Sequence, residues 1–115
     1  MSIRDKYGQE IGTLGSDGII RDEYGQEKGR VDSDGTIRDE YGQEIGSIDR
    51  DGRMRSDDGQ EKGRVDSDGT VRDEYGHELG RIDSDGTVRD DCGQEIGSAR
   101  GMSKERAAYI FFFSK

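Results

Sequence analysis

Three glycine series, each spaced by 17 residues, constrain this chain more than any other feature. Gly8, Gly25, Gly42, Gly59, Gly76 and Gly93 form the first, and Gly12, Gly29, Gly46, Gly63, Gly80 and Gly97 the second. Gly18, Gly35, Gly52, Gly69 and Gly86 form the third, so that 17 of the 19 glycines in 115 residues are positional. Two charged positions keep the same phase: Arg4, Arg21, Arg38, Arg55, Arg72 and Arg89, and Glu10, Glu27, Glu44, Glu61, Glu78 and Glu95. A glycine every four to seven residues excludes helix across this region, since each costs a helix about 1 kcal/mol relative to alanine. The chain is 27% apolar and 39% charged, a composition that by itself suggests disorder. A disordered segment, however, has no reason to hold a fixed register over six units.

One unit, Thr36 to Asp51, reads TIRDEYGQEIGSIDRD. Two tetrads of the form Asp-x-x-Gly bracket its strands, Asp32 to Gly35 and Asp39 to Gly42. Asp at the first position caps the turn amides, and Gly at the fourth takes positive φ, which together make a three-residue hairpin loop with a G1 bulge. With this loop around Tyr41, Ile37 faces Ile45 and Arg38 faces Glu44; around Asp34, Val31 faces Ile37. Aliphatic then meets aliphatic and Arg meets Glu, as cross-strand pairing favours. Ile45 and Ile48 are three apart yet both apolar, which requires a bulge at Gly46 to keep them on one face. The spacing therefore predicts an all-β chain of six 17-residue hairpin repeats in an antiparallel meander. A β-solenoid with one coil per repeat is the competing architecture, but it would stack Arg on Arg and Glu on Glu.

The length predicts a single domain over residues 1–115, with six repeats over 1–98 and a cap over 99–115. The three aliphatics of one unit, such as Ile37, Ile45 and Ile48, cannot offset the entropy of ordering 17 residues, so stacking, closure or oligomerisation must contribute the rest. After Gly101 the repeat stops, and Ser103 to Arg106 reads as one short helical turn. Ala107 to Phe113 follows as a continuous apolar run containing Phe111, Phe112 and Phe113, the only phenylalanines. Without alternation it reads as a strand over 107–113, buried on both faces, that plugs the centre or closes the sheet; the alternative is pairing with a second chain. Lys28 and Lys62 interrupt the aliphatic series Ile11, Ile45, Leu79, Ile96, so these units are expected to face more solvent.

The unit D-x-x-G-x-x-[IK]-G-x-[IV]-x-x-D-G-x-[IV] resembles short bacterial β-hairpin repeat proteins called β-flowers, in which hairpins surround a pseudo-symmetry axis. The match covers residues 3–98. It is more distantly similar to the YD repeats of bacterial Rhs toxin shells, which differ in period and carry more aromatics. The resemblance implies a closed β-repeat fold of bacterial origin and, since β-flower proteins mostly have no assigned activity, no particular chemistry.

Several residue patterns are candidates for function. Asp32, Asp34, Asp66, Asp68, Asp83 and Asp85 stand in Asp-Ser-Asp-Gly tetrads that copy the middle of an EF-hand loop. Aligning Gly35 on the loop glycine puts Arg30 and Tyr41 where the first and last ligands belong, so the turn reading outweighs Ca²⁺. Tyr7, Tyr24, Tyr41 and Tyr75 recur at one turn position beside Gln9, Gln26, Gln43 and His77. They read as rings packed over their own hairpins, or alternatively as sugar-stacking platforms. The Arg and Glu series, with Arg38 and Glu44 as the example, read as a cross-strand ion-pair ladder opposite the aliphatic face. Gly35, Gly42 and Gly46, with Phe111, Phe112 and Phe113, are read as structural.

Enzymatic activity is not expected. Cys92 has no nearby His to activate it, one His and one Cys cannot build a zinc site, and no nucleotide-binding, serine-hydrolase or zincin motif occurs. The net charge of −9 disfavours nucleic-acid and anionic-membrane partners, which need a cationic surface. No signal peptide is visible, so a cytoplasmic location is expected. The chain thus reads as a cofactor-free scaffold or protein-interaction module, self-associating through its tail if that tail is not internal; the alternative is a calcium- or carbohydrate-binding repeat protein.

Overall fold

Every tetrad becomes a turn. The computed structural model describes residues 1–114 as twelve short strands and a helical tail. The strands are β1 (Ser2–Asp5), β2 (Glu10–Leu14), β3 (Ile19–Asp22), β4 (Glu27–Val31), β5 (Thr36–Asp39) and β6 (Glu44–Ile48). They continue as β7 (Arg53–Ser56), β8 (Glu61–Val65), β9 (Thr70–Asp73), β10 (Glu78–Ile82), β11 (Thr87–Asp90) and β12 (Glu95–Ser98). Each pairs antiparallel with its neighbours in sequence, and β1 pairs with β12 through Arg4 opposite Ser98 and Asp5 opposite Gly97. The result is a closed barrel, so the hairpin meander holds and no strand edge is left open. Its dimensions of 35 × 33 × 20 Å describe a shallow disc.

The register follows the expected pattern with one change. Val31 faces Ile37 and Arg38 faces Glu44. Ile37, however, faces Gly46 and not Ile45, because the bulge falls at Ile45 itself. This leaves Ile45 45% exposed while Ile37 is buried. Glycine is required at 46 by proximity: a Cβ there would lie 2.5 Å from the Arg55 carbonyl oxygen on the next strand.

The two turn series behave differently. The turns at Gly18, Gly35, Gly52, Gly69 and Gly86 pack on the following hairpin, whose amide donates back to the glycine carbonyl, as Ile48 N does to Gly35 O at 2.7 Å. At the seam, Leu14 N donates to Met1 O at 2.8 Å in the same way. These inner turns draw one end of the barrel together. The outer turns at Gly42 and its equivalents stand in open space and splay the other end. Ile3, Leu14, Val31, Ile37, Met54, Val65, Val71, Ile82 and Val88 point inward and are buried.

The tail departs from the strand expected over 107–113. It is a helix, α1 (Lys104–Ala108), capped by the Ser103 side chain, followed by a π-helical turn from Tyr109 to Phe113. The barrel closes on itself through β1 and β12, so it has no free edge to pair with a strand. Inside an apolar ring, only a helix satisfies its own backbone groups. The plugging role remains. Ala107 and Ala108 are fully buried among Met54, Val65, Val71, Ile82, Val88 and Ala99. At the inner-turn end, Arg106 donates to the Asp32 carbonyl at 3.1 Å.

At the splayed end the three phenylalanines lie on three successive bulge glycines. A Cβ at Gly97 would be 2.6 Å from the Phe111 ring, one at Gly80 2.6 Å from Phe112, and one at Gly63 2.6 Å from Phe113. Hairpins of a six-membered ring are about 60° apart, whereas an α-helix turns about 100° per residue. The wider i→i+5 turn advances less per residue, which lets consecutive rings reach consecutive hairpins.

Candidate functional site

The outer turns carry the tyrosines. In Asp39-Glu40-Tyr41-Gly42 the Asp39 carboxylate accepts from Tyr41 N at 2.9 Å and Gln43 N at 3.0 Å, and Gly42 sits at φ 86°. The same cap recurs at Asp5, Asp22, Asp73 and Asp90. The turn is thus rigid, but the ring above it packs on nothing. Tyr7, Tyr24, Tyr41 and Tyr75 are 78%, 82%, 83% and 78% exposed. This corrects the expectation that they fold over their hairpins. The outer turn projects past the last strand pair and offers no apolar surface to cover a ring. Lys6 lies 5.3 Å from the Tyr7 ring, and His77 stands beside Tyr75.

The inner-turn carboxylates bond within their own hairpins. Asp66 accepts from Arg64 Nε at 3.1 Å and from Arg72 Nε at 2.8 Å. Asp32 and Asp83 hold Arg38 and Arg89 in the same way, at 2.9 and 2.8 Å. Asp34, Asp68 and Asp85 each accept from an amide two residues on, those of Thr36, Thr70 and Thr87, at 3.0 Å. Arg38, Arg55, Arg72 and Arg89 therefore bind Asp of the inner turn and not the Glu opposite them, whereas Arg4 and Arg21, with no Asp six residues earlier, reach only the outer-turn carbonyls of Gly8 and Gly25. Arg38 remains in register with Glu44, but its guanidinium reaches Asp32 and the Gly42 carbonyl. The long Arg side chain lies along its hairpin and ties inner turn to outer turn.

The hydrogen bond from Arg72, then that from Arg64 and the charge of both guanidiniums, outweigh burial and hold the Asp66 carboxyl below the usual carboxylate range. A depressed folded value means stability that is present above the unfolded value near 3.9 and is lost as pH falls through the folded one. The thermal midpoint is therefore expected to be flat from neutral pH to about pH 4 and to fall below it. Asp66→Asn should lower the neutral midpoint and shallow the acid limb. An acid limb identical in both proteins would show that this bracket contributes nothing.

Sequence patterns missed two features. Asp90, Asp91 and Cys92 bring three potential ligand atoms within 4.8 Å at an outer turn, but Asp91 and Cys92 are exposed and Asp90 is taken up by the turn amides of Cys92 and Gln94. Asp91 and Asp90 raise the Cys92 thiol, which keeps it protonated and a poor nucleophile. The second feature is a cavity of about 1060 Å³ at the splayed end, lined by Gly12, Gly29 and Gly46 on one side and Phe112 and Phe113 on the other. Its signal was the Lys28 and Lys62 alternation, which becomes meaningful only once the ring is closed.

Fold and surface define a class: a closed ring of short β-hairpins with a helical plug, displaying rigid turns at its rim. Within that class the chain belongs to the 5-fold beta-flower protein family, whose family model matches residues 1–115. This chain forms six hairpins. No curated protein and no solved structure matches it. The β-flower fold is not that of a known enzyme family. Among the described residues no helix is long and apolar enough to cross a membrane.

Proposed function

We propose that the chain is a non-catalytic β-repeat interaction scaffold whose binding edge is the rim of outer turns. The observation that carries this is the exposure of four equivalent tyrosines, 78–83% each, on turns held rigid by Asp caps. Aromatic side chains contribute most to protein interfaces when their backbone is already ordered. Repetition around a ring adds multivalency, provided the partner spans the spacing. In this reading Asp32, Asp34, Asp66, Asp68, Asp83 and Asp85 serve the turns, and Ca²⁺ has no part.

The test is a variant with Tyr7, Tyr24, Tyr41 and Tyr75 all changed to Ser. Because the rings are about four-fifths exposed, its thermal midpoint should shift by no more than about 2 °C. Polypeptides retained quantitatively on the immobilised protein should fall by about tenfold or more, the equivalent of 1.4 kcal/mol. A saturable signal on a glycan array, lost in the same variant, would assign the tips to carbohydrate. Retention equal to that of the parent chain would remove the rim as the binding edge.

A further inference from the structure

The barrel presents six bulge glycines toward its splayed end, and the chain's own tail uses only one half of them. Phe111, Phe112 and Phe113 lie edge-on against Gly97, Gly80 and Gly63. Gly12, Gly29 and Gly46 have the same backbone surroundings, each with the carbonyl of the following Arg close behind it, but face the cavity of about 1060 Å³. The molecule therefore shows on one side what its other side accepts: an aromatic ring with its edge against bare backbone. Ile11 and Ile45, both more than a third exposed, and the flank of Phe112 and Phe113 supply the remaining apolar wall.

The polar groups at this cavity set the sign of what it takes. Lys28 and Lys62 stand at the bulge positions on either side of Ile45 and both line it. Lys28 has only a loose contact with Asp22, at 3.8 Å, with its side chain 58% exposed, and Lys62 makes no ion pair among the described residues. The carboxylates of Asp22, Asp39 and Asp73 also line it, but each is taken up by two backbone amides of its own turn. Glu40 and Glu74 line it as well, and the guanidiniums of Arg21 and Arg55, which also line it, offset their charge. Two available ammonium groups thus flank an apolar seat of a size suited to a small molecule.

We infer that this half of the ring is a binding site for a small anionic aromatic ligand, its ring system seated against Gly29 and Gly46 and its carboxylate or sulfonate held between Lys28 and Lys62. The site is independent of the rim tyrosines, so it stands or falls separately from the scaffold reading.

The probe is anilinonaphthalene sulfonate, compared with uncharged phenylnaphthylamine, on the full chain. Saturable fluorescence enhancement near one equivalent, with a rise in thermal midpoint, is expected, because a ligand that binds only the folded state must stabilise it. A doubled variant, Lys28→Glu with Lys62→Glu, should keep the parent melting curve and weaken the sulfonate by about tenfold or more, while the neutral probe changes by less than about threefold. Ile45→Glu should weaken both probes; its melt, read in parallel, reports whether the ring is intact. Absence of saturable binding, or binding that both variants leave unchanged, overturns the inference. So does a concentration-dependent dimer in sedimentation that both variants dissolve, which would make a second copy the occupant.

Discussion

Ala107→Asp is expected to abolish cooperative folding or to lower the thermal midpoint by about 15 °C or more, since an unpaired buried carboxylate costs several kcal/mol against a total of 5–15. Ala107 is wholly buried where α1 passes between Met54, Val71, Val88 and their neighbours. The side chains of that cluster are all apolar and offer the charge no partner, and Ala107 itself is 0% exposed. If the ring survived, the chain could do so only by expelling its tail, which would expose Phe111, Phe112 and Phe113 and drive aggregation. A circular dichroism melt with light scattering in parallel reads both results. A melt within about 3 °C of the parent protein would show that the plug is not part of the folded core.

A pair of substitutions in one hairpin separates two uses of glycine. At Gly42, with φ of 86° and nothing within 4 Å of a built Cβ, alanine meets only the left-handed penalty, about 1–2 kcal/mol. Gly46 has ordinary φ, but a Cβ would sit 2.5 Å from the Arg55 carbonyl oxygen and 3.6 Å from its carbon. Backbone cannot rotate away as a side chain can. Gly46→Ala must spread β6 from β7 and strain a closed ring, at about 3 kcal/mol or more. Urea titration of both variants should place the Gly46 variant well below the Gly42 variant. The reverse order would mean that the ring yields at its bulges and that the turns are its stiff elements.

The local elements were legible because their chemistry is local. Asp39 caps its own turn and Gly42 supplies positive φ within four residues, so the hairpins, and the facing of Arg38 with Glu44, follow from the chain near them. The choice of Asp32 over Glu44 as the Arg38 partner was not legible. It depends on the length of an Arg side chain lying across a hairpin whose inner turn is pinned by the next unit. The exposure of Tyr41 and Ile45 was hidden for a similar reason. Apolar character signals burial only when a neighbouring surface exists, and at the splayed end of the ring there is none.

The tail shows the same division most sharply. By itself the sequence determined that Ala107 to Phe113 is apolar and must be buried and that the six units cannot fold singly, and it favoured hairpins over a solenoid. Only the tertiary structure decided that β1 meets β12. That closure leaves no edge to receive a strand, so the apolar run had to become a helix carrying its own hydrogen bonds. With no more than six glycine seats on the ring, it also decided that three phenylalanines would fill one half and leave the other half facing solvent.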